Sequence, residues 1–146
     1  MSAPWVAMFS RPIDVTGLEA RVTHDRHGAV CTFVGRVRNH SHGEPVVRLE
    51  YRAYEEMACR EMLKVAAEAA DRWGCDVAIE HRIGVIEVGE ASIAIAIGSP
   101  HRAEAFEACR FCIDTIKETV PIWKREERPD GTFWIEGDAA VRVEGG

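Results

Sequence analysis

ASIAIAIGSPHRAEAFEACRFCIDTIKET, residues Ala91 to Thr119, changes its hydrophobic period halfway along, and that change sets the fold class. Up to Gly98 the apolar residues alternate. Ile93, Ile95 and Ile97 fall on one face of an extended strand and the intervening alanines on the other. Ser99-Pro100 then supplies a helix start, with serine as N-cap and proline at the first helical position. Beyond it Ala105, Phe106, Cys109, Ile113 and Ile116 recur at helical spacing and are expected to face the core. Pro121 ends the helix near Thr119, because the residue before a proline is pushed out of helical geometry.

Working outward, Trp123–Arg128 and Thr132–Glu136 read as a hairpin about Pro129-Asp130-Gly131. Upstream, Val77 to Val88 reads as a strand joined to the next near Gly89-Glu90. Ala58, Met62, Val65, Ala66, Ala69 and Trp73 mark one face of a helix from Glu55 to about Trp73, stopped by Gly74. Glu55 and Glu56 lie in its first turn, where carboxylates complement the helix dipole. Ala29–Val37 and Val46–Tyr54 read as strands around a loop, Asn39 to Pro45. Trp5–Phe9 is a short strand, and Asp14 caps a brief helix through about Thr23. Mixed strands with two long helices define an α+β fold. No repeat, low-complexity tract or linker interrupts the chain, so residues 1–146 read as one domain.

Composition narrows the function. The 146 residues carry 47% apolar and 29% charged side chains, ordinary for a globular protein. No apolar run reaches the roughly 20 residues of a membrane span, and Met1 to Arg11 lacks the features of a secretory signal. The cysteines, Cys31, Cys59, Cys75, Cys109 and Cys112, are odd in number and sit in apolar surroundings, which suits reduced thiols in the cytoplasm. Cys109-x-x-Cys112 lies mid-helix with no second pair to complete a zinc site, so packing thiols are the simpler reading. His40-x-His42 lacks nearby carboxylate or cysteine ligands, and no metal or resident cofactor is expected. A net charge of −6 argues against a broad nucleic-acid surface, and neither nucleic acid nor membrane is expected as a partner.

Within that acidic chain the basic residues cluster: Arg36, Arg38, His40, His42 and Arg48; His101 and Arg102; Lys117, Lys124 and Arg125. Such clusters either focus a small anion or are solvated surface. His101 and Arg102 fall at the start of a helix, where free N–H groups favour an anion and where plain capping serves equally well. Lys117 ends the same helix, and Lys124 lies past Pro121 on a strand. The helix ends are separated by roughly 25 to 30 Å. His101 and Lys117 of one chain therefore do not meet on one small ligand unless it is extended or a second protomer contributes.

The segments Phe33 to His40 (FVGRVRNH), Leu49 to Met57 (LEYRAYEEM), His81-Arg-Ile-Gly84, Ser99-Pro-His-Arg102, Phe106-Glu-Ala108 and Ile116 to Glu126 (IKETVPIWKRE) occur in this order. Together they resemble the large, catalytic subunits of molybdopterin synthase, and the pattern K-x-x-x-P-x-W-K-[KR]-E is the most specific. The motif-bearing region is 29–136, followed by a flexible tail, 138–146. The resemblance implies an α/β-hammerhead fold with an added antiparallel subdomain. It implies a homodimer that becomes a heterotetramer with a small ubiquitin-like sulfur carrier, whose C-terminal Gly-Gly thiocarboxylate enters the pocket. The reaction implied converts cyclic pyranopterin monophosphate into the dithiolene pterin of the molybdenum cofactor. By motif, Lys117 and Lys124 match the catalytic lysines, and Arg38, His101 and Arg102 match anion-binding positions, the Arg38 counterpart reaching the site from the partner protomer. Two other readings stand beside this one: a non-catalytic pterin- or carrier-binding subunit, and a metal-dependent hydrolase using His40, His42 and His81. The chain ends Gly145-Gly146, either an incidental terminus or a tail able to occupy a neighbour's pocket.

Overall fold

The computed structural model describes residues 3–136 and 139–143. In chain order the elements are β1 (Trp5–Phe9), α1 (Val15–Ala20), β2 (Ala29–Arg36), β3 (His40–Ser41), β4 (Glu44–Pro45), β5 (Arg48–Ala53), α2 (Glu55–Trp73), β6 (Asp76–Arg82), β7 (Gly84–Glu87), β8 (Ala91–Ser99), α3 (Arg102–Thr119), β9 (Ile122–Arg128), β10 (Gly131–Glu136) and β11 (Ala139–Arg142). The architecture is α+β, as expected.

The first sheet has the order β1-β6-β8-β2, with β1 parallel to β6 and the other pairs antiparallel. The alternation along β8 decides its two faces. Ile93, Ile95 and Ile97 join Val77 and Ile79 in a core against α2 and α3. Ala94 and Ala96 join Ala78 on the opposite face under Leu18 and Val22 of the α1 segment. Alanine there lets α1 lie close, and at Gly98 the approach is tightest: an added Cβ would collide with the Val22 carbonyl oxygen. Asp14 caps α1 by accepting from the Gly17 N–H at 3.1 Å. Buried Asp76 accepts from Arg26 at 3.3 Å and stands 3.1 Å from His24 Nε2, which ties the segment after α1 to β6.

The second sheet, β11-β10-β9-β5-β7, is antiparallel throughout. The stretch expected as one strand from Val77 to Val88 is divided between the two sheets. The break falls at Ile83-Gly84, where Gly84 takes φ 87°, a conformation that favours glycine and turns the chain from β6 into β7. Residues 139–142, expected within a loose tail, pair with β10 as β11, whereas Gly145-Gly146 lies outside the described residues. The expected loop from Asn39 to Pro45 contains the small hairpin β3–β4. Its turn residues His42 and Gly43 both have positive φ, 49° and 81°, the requirement of a tight two-residue turn.

Two details of α3 differ from expectation. The helix begins at Arg102, with His101 as N-cap, because Ser99 is still paired with Ala29 in the β2–β8 ladder. The strand hydrogen bonds thus override the Ser-Pro start signal. Phe106 is 63% exposed, and the buried stripe is Ala105, Ala108, Cys109, Cys112 and Ile116. Phe106 lies about 100° around the helix from Ala105, beyond that stripe. The brief first helix also stops at Ala20, three residues before its expected end.

Gly98→Ala should destabilise the fold by about 2 kcal/mol or more through overpacking against Val22. Urea unfolding would read this as a lower midpoint at unchanged slope; a wild-type midpoint would contradict the close approach.

Candidate functional site

A cavity of about 790 Å³ opens where the two sheets meet beside the C-terminal end of α3. Three of the expected site residues line it together: Arg38 just after β2, Lys117 in the last turn of α3, and Lys124 on β9. Phe33, Ile93, Ile113, Ile116 and Val120 supply apolar wall. Strand register explains how the polar residues converge. Lys124 pairs with Tyr51 of β5, and Glu126 pairs with Leu49, so Lys124, Glu126 and Tyr51 share one face of the second sheet. The opposite face is an ion-pair lattice in which Glu50 accepts from Arg125 (2.8 Å) and Arg52 (2.9 Å), and Arg48 bridges Glu87 and Glu127.

The electrostatics of the cavity follow from burial. Lys124 is half-buried, and desolvation holds its ammonium below the ordinary lysine range; Glu126 pulls it back up and Arg38 pushes it down. Lys117 is exposed at the rim, as is Arg38. Tyr51 is pushed upward by burial, with a Ser92 hydrogen bond and the Lys117 charge acting the other way. Glu126 is 1% exposed and is held by Arg128, whose Nη2 and Nε lie 2.9 and 3.0 Å from Oε1. Burial drives the His81 imidazole down to about 4, so that the ring is neutral at physiological pH. The arrangement can hold an anion against three cations while an apolar wall accepts a flat or aliphatic body.

His101 and Arg102 do not join this cavity. Both are exposed at the opposite end of α3, which spans Arg102–Thr119, about 27 Å from the lysine end. Arg38, expected to arrive from a partner protomer, instead lines the cavity of its own chain, because β2 ends beside β8 and delivers residue 38 to the same rim. Arg36 lines the cavity too, but its Nε is spent on the Gly89 carbonyl at 2.9 Å. His40 and His81 are both wall residues, yet no group of three or more His, Cys, Asp or Glu among the described residues is arranged to hold a metal. Cys75, Cys109 and Cys112 are buried, free thiols; burial pushes Cys109 up to about 12, which suits packing rather than redox chemistry.

The sequence does not single out Tyr51 or Glu126 as site residues, and it offers His81 only as a ligand in the metal-dependent alternative. Glu126 was recoverable in principle, since a residue two beyond Lys124 on a strand must share its face. Tyr51 and His81 reach the cavity through long-range register, for which the sequence carries no local signal.

The family model described as MoaE protein matches residues 8–119. A molybdopterin synthase catalytic subunit of Bacillus subtilis (strain 168) is 46% identical over 125 residues, covering 85% of this chain and 80% of that relative. The X-ray crystal structure of molybdopterin synthase from Staphylococcus aureus matches with a TM-score of 0.85 at 35% identity, over 88% of this chain and 95% of that one. A protein–protein complex of subunits 1 and 2 of the molybdopterin-converting factor from Helicobacter pylori 26695 matches with a TM-score of 0.70 at 20% identity, over 99% of this chain and 92% of that one, a likeness of fold.

Lys124 labelled at its ε-carbon should titrate below the ordinary lysine range by carbon NMR. Arg38→Ala removes a repelling charge and should raise the midpoint, and Glu126→Gln removes an attracting one and should lower it. A midpoint indifferent to both substitutions would contradict these surroundings.

Proposed function

The chain belongs to the MoaE protein family, and on that premise we propose that its cavity moves sulfur from the C-terminal thiocarboxylate of a small ubiquitin-like carrier onto cyclic pyranopterin monophosphate. Its function is catalytic, as a sulfur-transferring subunit in molybdenum cofactor biosynthesis. The observation that carries the finer reading is the convergence of Arg38, Lys117 and Lys124 on one cavity with an apolar wall.

Both reactants are anions, and bringing a thiocarboxylate beside a phosphate requires cationic compensation. Arg38 grips phosphate through several N–H donors. Lys117, exposed at the rim, meets the incoming carrier tail, and Lys124, set deeper, faces the pterin. Either lysine can stabilise charge on the acyl-sulfur intermediate, and Lys124 with its depressed pKa is suited to move the proton that opens the ring. Two deliveries give the dithiolene.

His101 and Arg102 serve this reading only across a homodimer, each protomer lending the start of its α3 to the other's cavity. Their exposure at the far end of α3 supports that arrangement. A carrier on each cavity completes a heterotetramer. We place the reaction in the cytoplasm, in keeping with five free thiols and with no helix of the described residues being long and apolar enough to cross a membrane.

Protein mixed with cyclic pterin monophosphate and thiocarboxylated carrier should yield dithiolene product by mass spectrometry. Lys117→Ala and Lys124→Ala should each slow it by about 10²- to 10³-fold. Carrier binding without product in the wild-type protein would favour a binding subunit instead. Arg102→Ala and Lys124→Ala proteins, each strongly slowed alone, should regain activity when mixed as dimers, since one cavity per mixed dimer is then intact. Failure of that complementation would remove the shared-site arrangement.

A further inference from the structure

His81 is the penultimate residue of β6, beside the seam where the chain leaves the first sheet for the second, and is 5% exposed. Its Nδ1 lies 2.8 Å from the Arg82 carbonyl oxygen. A carbonyl only accepts, so Nδ1 carries the proton, and the neutral ring is left with a lone pair on Nε2. Burial keeps the ring in that neutral form. Tyr51 packs against it edge-on, centroids 5.1 Å apart at 70°, which fixes the ring plane. Among the described residues no group hydrogen-bonds Nε2, although His81 lines the cavity. An almost fully buried histidine thus presents one acceptor to the cavity, available to a ligand that carries a donor.

The neighbouring polar groups make that acceptor distinctive. Arg38, Lys117 and Lys124 are cationic donors, Glu126 is engaged by Arg128, and the Ser92 hydroxyl donates to the Gly35 carbonyl at 3.2 Å. A lone pair at Nε2 repels phosphate and thiocarboxylate oxygens and accepts an N–H. Resting on the functional reading above, we propose that His81 Nε2 accepts an N–H from the nitrogen heterocycle of the pterin. It thereby sets which edge of the ring turns away from the cations. His81 is a specificity-determining residue: the phosphate end goes to Arg38 and the lysines, and the N–H-bearing edge goes to His81. An ordered acceptor of this kind rejects ring analogues lacking the donor, because the buried nitrogen would then stay unpaired.

The test compares His81→Leu, which removes the acceptor, with His81→Gln, whose amide oxygen can reach the Nε2 position. His81→Leu should raise KM for cyclic pterin monophosphate on the order of tenfold or more with kcat changed much less, the mark of lost binding rather than lost chemistry. Carrier affinity should hold, and His81→Gln should recover most of the loss. Nitrogen NMR of the histidine-labelled wild-type protein gives a readout independent of any variant's folding: adding the pterin alone should shift the Nε2 resonance. An unchanged KM in His81→Leu, no rescue by Gln, a loss confined to carrier affinity, or an Nε2 resonance indifferent to the pterin would each overturn the proposal while wild-type turnover stands. A wild-type protein that makes no product would instead overturn the functional reading, and this proposal with it.

Discussion

Strand β8 is hydrogen-bonded along both edges, to β6 and to β2, and its two faces are cut to different depths. Isoleucines fill the deep side under α2 and α3, while alanines leave just enough room for α1 on the other. A one-residue slip would drive isoleucine into the α1 side and leave alanine-sized voids beneath the long helices. Register is therefore fixed by volume on both faces at once, and Gly98 fixes it again by admitting the Val22 backbone. Everything at the cavity depends on this registration: β2 must end where Arg38 reaches the rim, β6 must carry His81 to the cavity wall, and α3 must bring Lys117 to the same place.

The second sheet contributes by separating its charges. Its outer face pairs Arg48, Arg52 and Arg125 with Glu50, Glu87 and Glu127, where pairs in water add little to stability. Its inner face carries Lys124 and Glu126, and there burial makes the same charges matter more. Glu126 is occupied by Arg128, so Lys124 is only partly compensated while Arg38 repels it. A cavity in which the cations are undercompensated favours an incoming anion, because the ligand then relieves repulsion as well as making hydrogen bonds.

Much of this was legible in the sequence because it is local. The α2 limits Glu55–Trp73, the Asp14 cap, the two-faced β8 and the stop at Pro121 are set by residues within a few positions of one another. The failures share a cause. Ser99 was drawn into a strand by Ala29, seventy positions away, and the run from Val77 to Val88 was split because its halves belong to different sheets. Phe106 fits a helical pattern one residue too generously, since hydrophobicity alone does not say how wide the buried stripe is. In the site, Arg38, Lys117 and Lys124 were identifiable as residues, but their meeting in one chain was not. Tyr51 opposite Lys124 and His81 at the sheet seam are consequences of pairing, not of spacing.

The separation of His101 and Arg102 from the lysines has a physical consequence for the assembly. One rigid helix holds cationic groups at both ends, so neither end can adjust its distance to the other within a chain. If both ends act on one substrate, the geometry must be closed by a symmetry axis, and each cavity then senses the placement of its neighbour's α3. Such a site would be assembled rather than folded: a monomer would hold Arg38, Lys117, Lys124 and the neutral His81 acceptor, and would lack the remaining cations. The neutral imidazole gains importance in that setting. With cations supplied from two chains, charge alone fixes where a phosphate lies and leaves the ring free to turn about it; an uncharged acceptor on a rigid strand removes that freedom without adding to the charge.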